Sequence, residues 1–157
     1  MIKTFDVATL RKDFPIFETG IAYLDSANTS QRPRQVTGAM MEYFEKFNSN
    51  IHRAAYHIAE EATLRYEATR EKVRAFINAA STKEIIYTRG TTEAINLVAY
   101  SWGRKHVKPG DLIVLTILDH HSNIVPWQIL AAANGATIEY VDIDDRGELR
   151  QDQYADL

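Results

Sequence analysis

Three short runs of β-branched, aliphatic and aromatic residues, Ile85–Tyr87, Leu112–Thr116 and Thr137–Val141, alternate with segments of helical length and spacing. Few folds accept such a chain. Each connection between strands contains a helix, so the strands are expected to run parallel with right-handed crossovers. The expected class is α/β, a mostly parallel sheet with flanking helices. In such sheets ligands sit beyond the carboxyl ends of the strands. The loops Arg89–Thr92 and Asp119–Asn123 fall at that end.

The first βα unit is the most informative. Ile85, Ile86 and Tyr87 read as a buried strand. Gly90 lets a ligand approach the main chain, and Thr91 or Thr92 is a cap candidate for the helix that follows. Glu93 lies in its first turn, where the dipole favours a carboxylate, and Ile95, Val98 and Ala99 give it an apolar face. The first amides of such a helix lack backbone partners; with two hydroxyls beside them they suit a phosphate. The same residues also make an ordinary well-capped turn, and the local sequence leaves both readings open.

The rest of the chain is read as follows. Residues 1–19 form an N-terminal arm, with Asp6 or Thr4 capping a short helix that Pro15 ends. Residues 20–157 form the first part of a larger domain. Ile21–Leu24 is a strand candidate, and Asp25–Ser30 a run of turn formers. Pro33 fits the first turn of a helix with Thr29 or Ser30 as cap, and Met40, Phe44 and Phe47 on its core face. A helix from Glu60 to about Ala79 turns Leu64, Ala68, Val73, Phe76 and Ile77 inward. Trp127 and Leu130 lie on the apolar side of a helix from Ile124 that Asn134-Gly135 closes.

At 157 residues, 45% of them hydrophobic and 25% charged, with a formal charge of −3, the chain has a globular balance that gives no reason to expect nucleic acid or an anionic membrane as partner. Lys3, Asp6, Arg11, Lys12 and Asp13 break up any early apolar run, and no stretch is long and apolar enough to span a bilayer. The cytoplasm is the expected location. The chain has no cysteine, which removes disulfides, thiolate metal sites and a cysteine nucleophile from it. Its five histidines show no zinc-protease spacing, so no metal is expected. His120 and His121 lie in a loop at the ligand end of the sheet, as helix-capping polar residues or as groups that stack and move protons. His52-Arg53 reads as surface, or as a reach toward an anion. Asp25-Ser26-Ala27 is a turn whose small residues also permit close backbone approach. No nucleophile elbow, P-loop or dinucleotide fingerprint is present.

Taken together, these motifs resemble the SUF-type cysteine desulfurases, in the class V aminotransferase group of fold-type I pyridoxal-phosphate enzymes. Tyr23-Leu-Asp-Ser-Ala-Asn-Thr-Ser30 is similar to that family's Leu-Asp-Asn/Ser-Ala-Ala-Thr-Ser, and Asn50-Ile-His-Arg53 to its Asn-Val-His-Arg. Thr88-Arg-Gly-Thr-Thr-Glu-Ala-Ile-Asn-Leu-Val98 is close to its Thr-Arg-Gly-Thr-Thr-Glu-Ala/Gly-Ile-Asn-Leu-Val. Asp119-His-His-Ser-Asn-Ile-Val-Pro-Trp-Gln128 resembles its Glu-His-His-Ala-Asn-Ile-Val-Pro-Trp-Gln; Ser101-Trp-Gly103 and Pro109-Gly-Asp111 match as well.

The resemblance implies the N-terminal portion of the family's large, pyridoxal 5'-phosphate-binding domain. It implies that Gly90, Thr91 and Thr92 hold the cofactor phosphate and that His120 stacks on the pyridine ring and assists proton transfer. Ala27 and Asn28 would border the substrate carboxylate, with His52 and Arg53 near the active site at a dimer contact. The intact enzyme would be a homodimer that takes sulfur from L-cysteine, releases alanine and passes a persulfide to a sulfur-acceptor protein for iron–sulfur cluster assembly. Asn28, Ala54 and Tyr56 depart from the family pattern, as does Asp119 in place of glutamate. The family's Schiff-base lysine in Ser-x-His-Lys, ring-nitrogen aspartate, persulfide cysteine and carboxylate-binding arginine have no matching positions, so the chain alone is expected to be inactive. The competing readings are another class V enzyme, such as a selenocysteine lyase or kynureninase-like protein, and a non-catalytic scaffold.

Overall fold

The computed structural model describes residues 6–53 and 55–157, so Lys3, the cap candidate Thr4 and the departure at Ala54 lie outside the described residues. The chain divides into two compact units, Met1–Ile85 and Ile86–Leu157.

In the first unit Asp6 is the cap that starts helix α1, Val7–Arg11, its carboxylate accepting the Thr9 amide at 3.2 Å. Pro15 opens a 3-10 turn, Pro15–Thr19, which closes at Gly20 in the left-handed region with φ 78°. Ile21–Leu24 forms no strand and pairs with none among the described residues, which corrects the strand expectation. A strand needs a neighbour's hydrogen bonds. Here the local tie is a side chain instead, with the Tyr23 hydroxyl donating to the carbonyls of Asp25 and Thr29 at 3.1 and 2.7 Å. Helix α2 spans Arg34–Glu42, with Pro33 at its cap rather than inside its first turn and neither Thr29 nor Ser30 capping it. A π turn, Tyr43–Phe47, follows. Phe47 is buried, and the Arg65 guanidinium lies 4.2 Å from its ring centroid.

Arg65 belongs to helix α3, His57–Phe76, which begins three residues before the expected Glu60. It ends early because Asn78 takes a left-handed conformation, φ 56°, and Ala79 bonds back to the Arg74 carbonyl. Ser81 then caps a 3-10 turn, Thr82–Glu84. Ala59 and Ala62 are the buried residues of α3, whereas Leu64 and Phe76 are 61% and 89% exposed. Ala68, Ile77, Met40 and Phe44, also expected to face a core, are exposed. Units this small bury a limited share of their apolar surface.

The second unit carries the sheet. Helix α4, Thr91–Val98, continues through a π turn, Ala99–Gly103, into α5, Arg104–His106. Strand β1, Leu112–Thr116, pairs in parallel with β2, Thr137–Val141, in the register Leu112↔Thr137 to Thr116↔Val141. Helix α6, Val125–Asn134, connects them and stops at Gly135, φ 73°, as the Asn-Gly signal requires. The crossover fulfils the expectation of parallel strands. Ile85–Tyr87 does not become a third strand: among the described residues the sheet has two strands, β1 and β2. Ile143 and Leu149 form an isolated antiparallel bridge before the last helix, α7, Gln151–Asp156.

The core of this unit joins Ala99, Leu115, Leu130, Ala131 and Val141. Leu130 packs so closely on Gly103 that a side-chain carbon there would lie 2.6 Å from its Cδ2. No helix among the described residues is long and apolar enough to cross a membrane. Leu130→Ala, which empties a site only 4% exposed, is expected to cost about 3 kcal/mol. A urea titration followed by the fluorescence of Trp102 and Trp127 measures it, and an unchanged midpoint would contradict this packing.

Candidate active site

Helix α4 begins at Gly90, whose backbone is extended, φ 167° and ψ 177°. Gly90, not Thr91 or Thr92, is the N-cap, and it offers no side chain to the helix. The first intrahelical bond is from the Ala94 amide to the Gly90 carbonyl, 3.1 Å. The amides of Thr91, Thr92 and Glu93 precede it and so lack acceptors within the helix. Both threonines are exposed, and a side-chain carbon built on Gly90 would meet nothing within 4 Å. The turn is stiffened from outside this opening. Thr88 Oγ1 donates to the Gly90 carbonyl at 3.2 Å, and Glu93 accepts the Arg89 amide at 2.6 Å and its Nε at 3.3 Å. The Arg89 amide, and then its guanidinium, hold the Glu93 carboxyl below the usual range. The one acidic group in the first turn is therefore already paired, while Thr91 and Thr92 are exposed.

His120 lies in the same unit. It starts a 3-10 turn, His121–Asn123, that packs against α4. Its Nδ1 is 3.1 Å from the Ser122 amide and 3.0 Å from the Ser122 hydroxyl. The His121 ring stands edge-on to it, centroids 6.1 Å apart. His120 is exposed. The His120 turn thus touches the helix that Gly90 begins, within one unit. A groove of about 580 Å³ runs along β1 past Trp102, His106, Asn123 and Trp127, but neither Gly90, Thr91, Thr92 nor His120 lines it. The candidate site is the open helix end.

The remaining candidates belong to the first unit. Ala27 and Asn28 lie in an exposed turn closed by Asn28 and Thr29 amides on the Asp25 carbonyl, 3.2 and 3.1 Å. Asn28 Nδ2 also donates to the Asp25 carboxylate at 3.4 Å. His52 has φ 64°, a left-handed conformation that a histidine adopts only under constraint. Two residues one helical turn apart on α3 supply the constraint. Thr63 Oγ1 accepts the His52 amide at 3.0 Å, and Glu67 meets His52 Nε2 at 3.2 Å. Arg53, next in the chain, is exposed. Among the described residues no group of three or more metal-ligating side chains is placed to hold a metal ion.

The family model "Aminotransferase class-V" matches residues 22–157. A cysteine desulfurase of Synechococcus elongatus is 50% identical over 158 residues, covering 98% of this chain and 25% of the relative. A probable cysteine desulfurase of Synechocystis is 52% identical over 144 residues, 88% of this chain and 34% of the relative. The apo structure of a cysteine desulfurase from Thermococcus onnurineus superposes with a TM-score of 0.85 at 38% identity, over 97% of this chain and 37% of that one. The chain therefore spans between a quarter and about a third of the curated relatives' length.

Sequence reasoning gave no role to the group that organises the His120 loop. Asp119 accepts the Thr116 amide at 2.8 Å, the Thr116 hydroxyl at 3.1 Å and the Asn123 side-chain amide at 2.9 Å. Asn123 in turn accepts the Trp127 indole N–H at 3.0 Å. The spacings Asp119/Asn123/Trp127, each four apart, were the available signal. The Asn123 bond foremost, then the Thr116 amide, lower the Asp119 pKa from its ordinary 3.8. A lowered carboxylate pKa stabilises the fold above the unfolded value and loses that contribution as pH falls through the folded one. Asp119→Ala is expected to cost about 1–3 kcal/mol at pH 7 and progressively less below pH 3.8. Urea midpoints at the two pH values check this; an equal deficit at both would refute it.

Proposed function

Because the chain belongs to the aminotransferase class-V family, we propose that it supplies part of a pyridoxal 5'-phosphate-dependent cysteine desulfurase. On this reading the intact enzyme acts on L-cysteine, releases alanine and passes sulfur as a persulfide to an acceptor protein for iron–sulfur cluster assembly. It works as a homodimer in the cytoplasm, where a reducing environment preserves thiol chemistry.

One observation carries the reading: a helix that opens at Gly90 on two exposed threonines and packs against the turn that His120 begins. The donor set fits a phosphate dianion. Amides of Thr91 and Thr92 lie at the positive end of the helix dipole, and the nearby carboxylate of Glu93 is neutralised by Arg89. Gly90 leaves the approach clear. When bound, the cofactor supplies an electron sink for carbanion chemistry on an amino acid. Gly90, Thr91 and Thr92 anchor its phosphate; His120 stacks on its ring and moves protons. Substrate binding is assigned to Ala27 and Asn28, for the carboxylate, and to His52 and Arg53, whose guanidinium suits an anionic group.

Thr91→Val with Thr92→Val in the intact enzyme removes two hydroxyls from a charged group. Cofactor affinity is expected to fall roughly 10–100-fold, read as absorbance retained after dialysis. Retention equal to wild type would remove this helix end from the site. The 157-residue chain by itself has no cysteine to carry a persulfide, so it is expected to form no alanine from cysteine. Turnover by that chain would show that its catalytic groups lie elsewhere than proposed.

A further inference from the structure

We propose that Ser122 is a positioning residue for His120: through its amide and its hydroxyl it fixes the imidazole as the tautomer with hydrogen on Nε2, which makes Nε2 the ring atom that exchanges protons with a ligand. The part that concerns the ligand rests on the reading of His120 given above.

A neutral imidazole has one nitrogen that donates and one that accepts. A hydroxyl beside a ring nitrogen leaves the tautomer open, because it serves either way. A backbone N–H does not, since it can only donate. The Ser122 amide lies 3.1 Å from Nδ1, so Nδ1 is the acceptor. The Ser122 hydroxyl, 3.0 Å from the same atom, must then donate as well. Both donors belong to one residue and converge on one lone pair, so neither is satisfied if the ring rotates away.

The backbone on either side holds this arrangement. The Asn123 amide bonds the His120 carbonyl at 2.7 Å and closes the turn. Asp119, immediately before, is tied to the end of β1 through the Thr116 amide. His121 stands edge-on at 88° to the His120 ring. With Nδ1 committed to the turn, Nε2 is the nitrogen remote from it, on an exposed residue. In the family segment that this loop resembles, alanine stands at the position of Ser122. The amide contact needs no particular side chain; the hydroxyl contact is what this chain adds.

The test uses the 157-residue chain labelled with 15N-histidine and a long-range proton–nitrogen spectrum at pH 8.5, where free imidazole is neutral. His120→Gln identifies the His120 signals among the five histidines. The expected wild-type spectrum shows Nδ1 as an unprotonated acceptor and Nε2 bearing hydrogen. Ser122→Ala should lower the ratio of the two tautomers roughly five-fold, the loss of one ordinary hydrogen bond. Ser122→Thr, which keeps the hydroxyl, should restore it.

A wild-type ring protonated at Nδ1 would overturn the proposal without any variant being needed. So would a Ser122→Ala spectrum with the wild-type ratio. The reading of His120 as the stacking residue fails by a different measurement. If His120→Gln leaves the cofactor absorbance of the loaded intact enzyme unchanged, the ligand role is overturned. The tautomer result is independent of that outcome.

Discussion

The Asp119 carboxylate is the point on which the second unit depends. It takes the main-chain N–H of Thr116, the last residue of β1, the Thr116 hydroxyl, and the side-chain amide of Asn123. Asn123 passes the connection to the Trp127 indole in the first turn of α6. Strand end, histidine turn and helix start are thereby one hydrogen-bonded body. Bonds to an ionised carboxylate are roughly twice as strong as neutral ones, and a half-satisfied network would be costly. The loop after β1 therefore has a single arrangement, and the His120 ring inherits it.

A related device recurs beside Gly90 and at His52. Glu93 reaches back to hold Arg89 and stiffens the entry to α4 without occupying the space in front of Gly90. Thr63 and Glu67, one turn apart on α3, hold His52 in a conformation its side chain disfavours. In both cases a polar side chain from a helix holds a residue on an adjoining turn. Groups meant to meet a ligand need such support, because exposed loops otherwise sample many conformations.

Much of this was legible. The Asn-Gly stop after α6, the Asp6 cap of α1 and the parallel pairing of two apolar runs follow from local chemistry and hold in the structure. The failures share one cause. Ile21–Leu24 and Ile85–Tyr87 have strand composition, but a strand exists only as part of a sheet, and the sheet among the described residues consists of β1 and β2. Leu64, Met40, Phe44 and Phe76 have core spacing, yet spacing names a face without saying what covers it. The Asp119 network was missed because a polar residue in a loop looks alike in sequence whether it is solvated or holds three donors.

The sequence by itself determined the family, the order α4, β1, α6, β2, and the short motif Gly90-Thr91-Thr92 with its donor chemistry. These are properties of residues near one another in the chain, where caps, glycines and periodicity act over a few positions. Only the tertiary structure decided that the His120 turn packs against the helix that starts at Gly90, and that Phe47 rather than Phe44 is buried. It alone gave Asp119 its three donors and His120 its acceptor nitrogen. Those outcomes depend on distances between groups that local propensity does not set, and on which polar atoms lose water when the chain closes on itself.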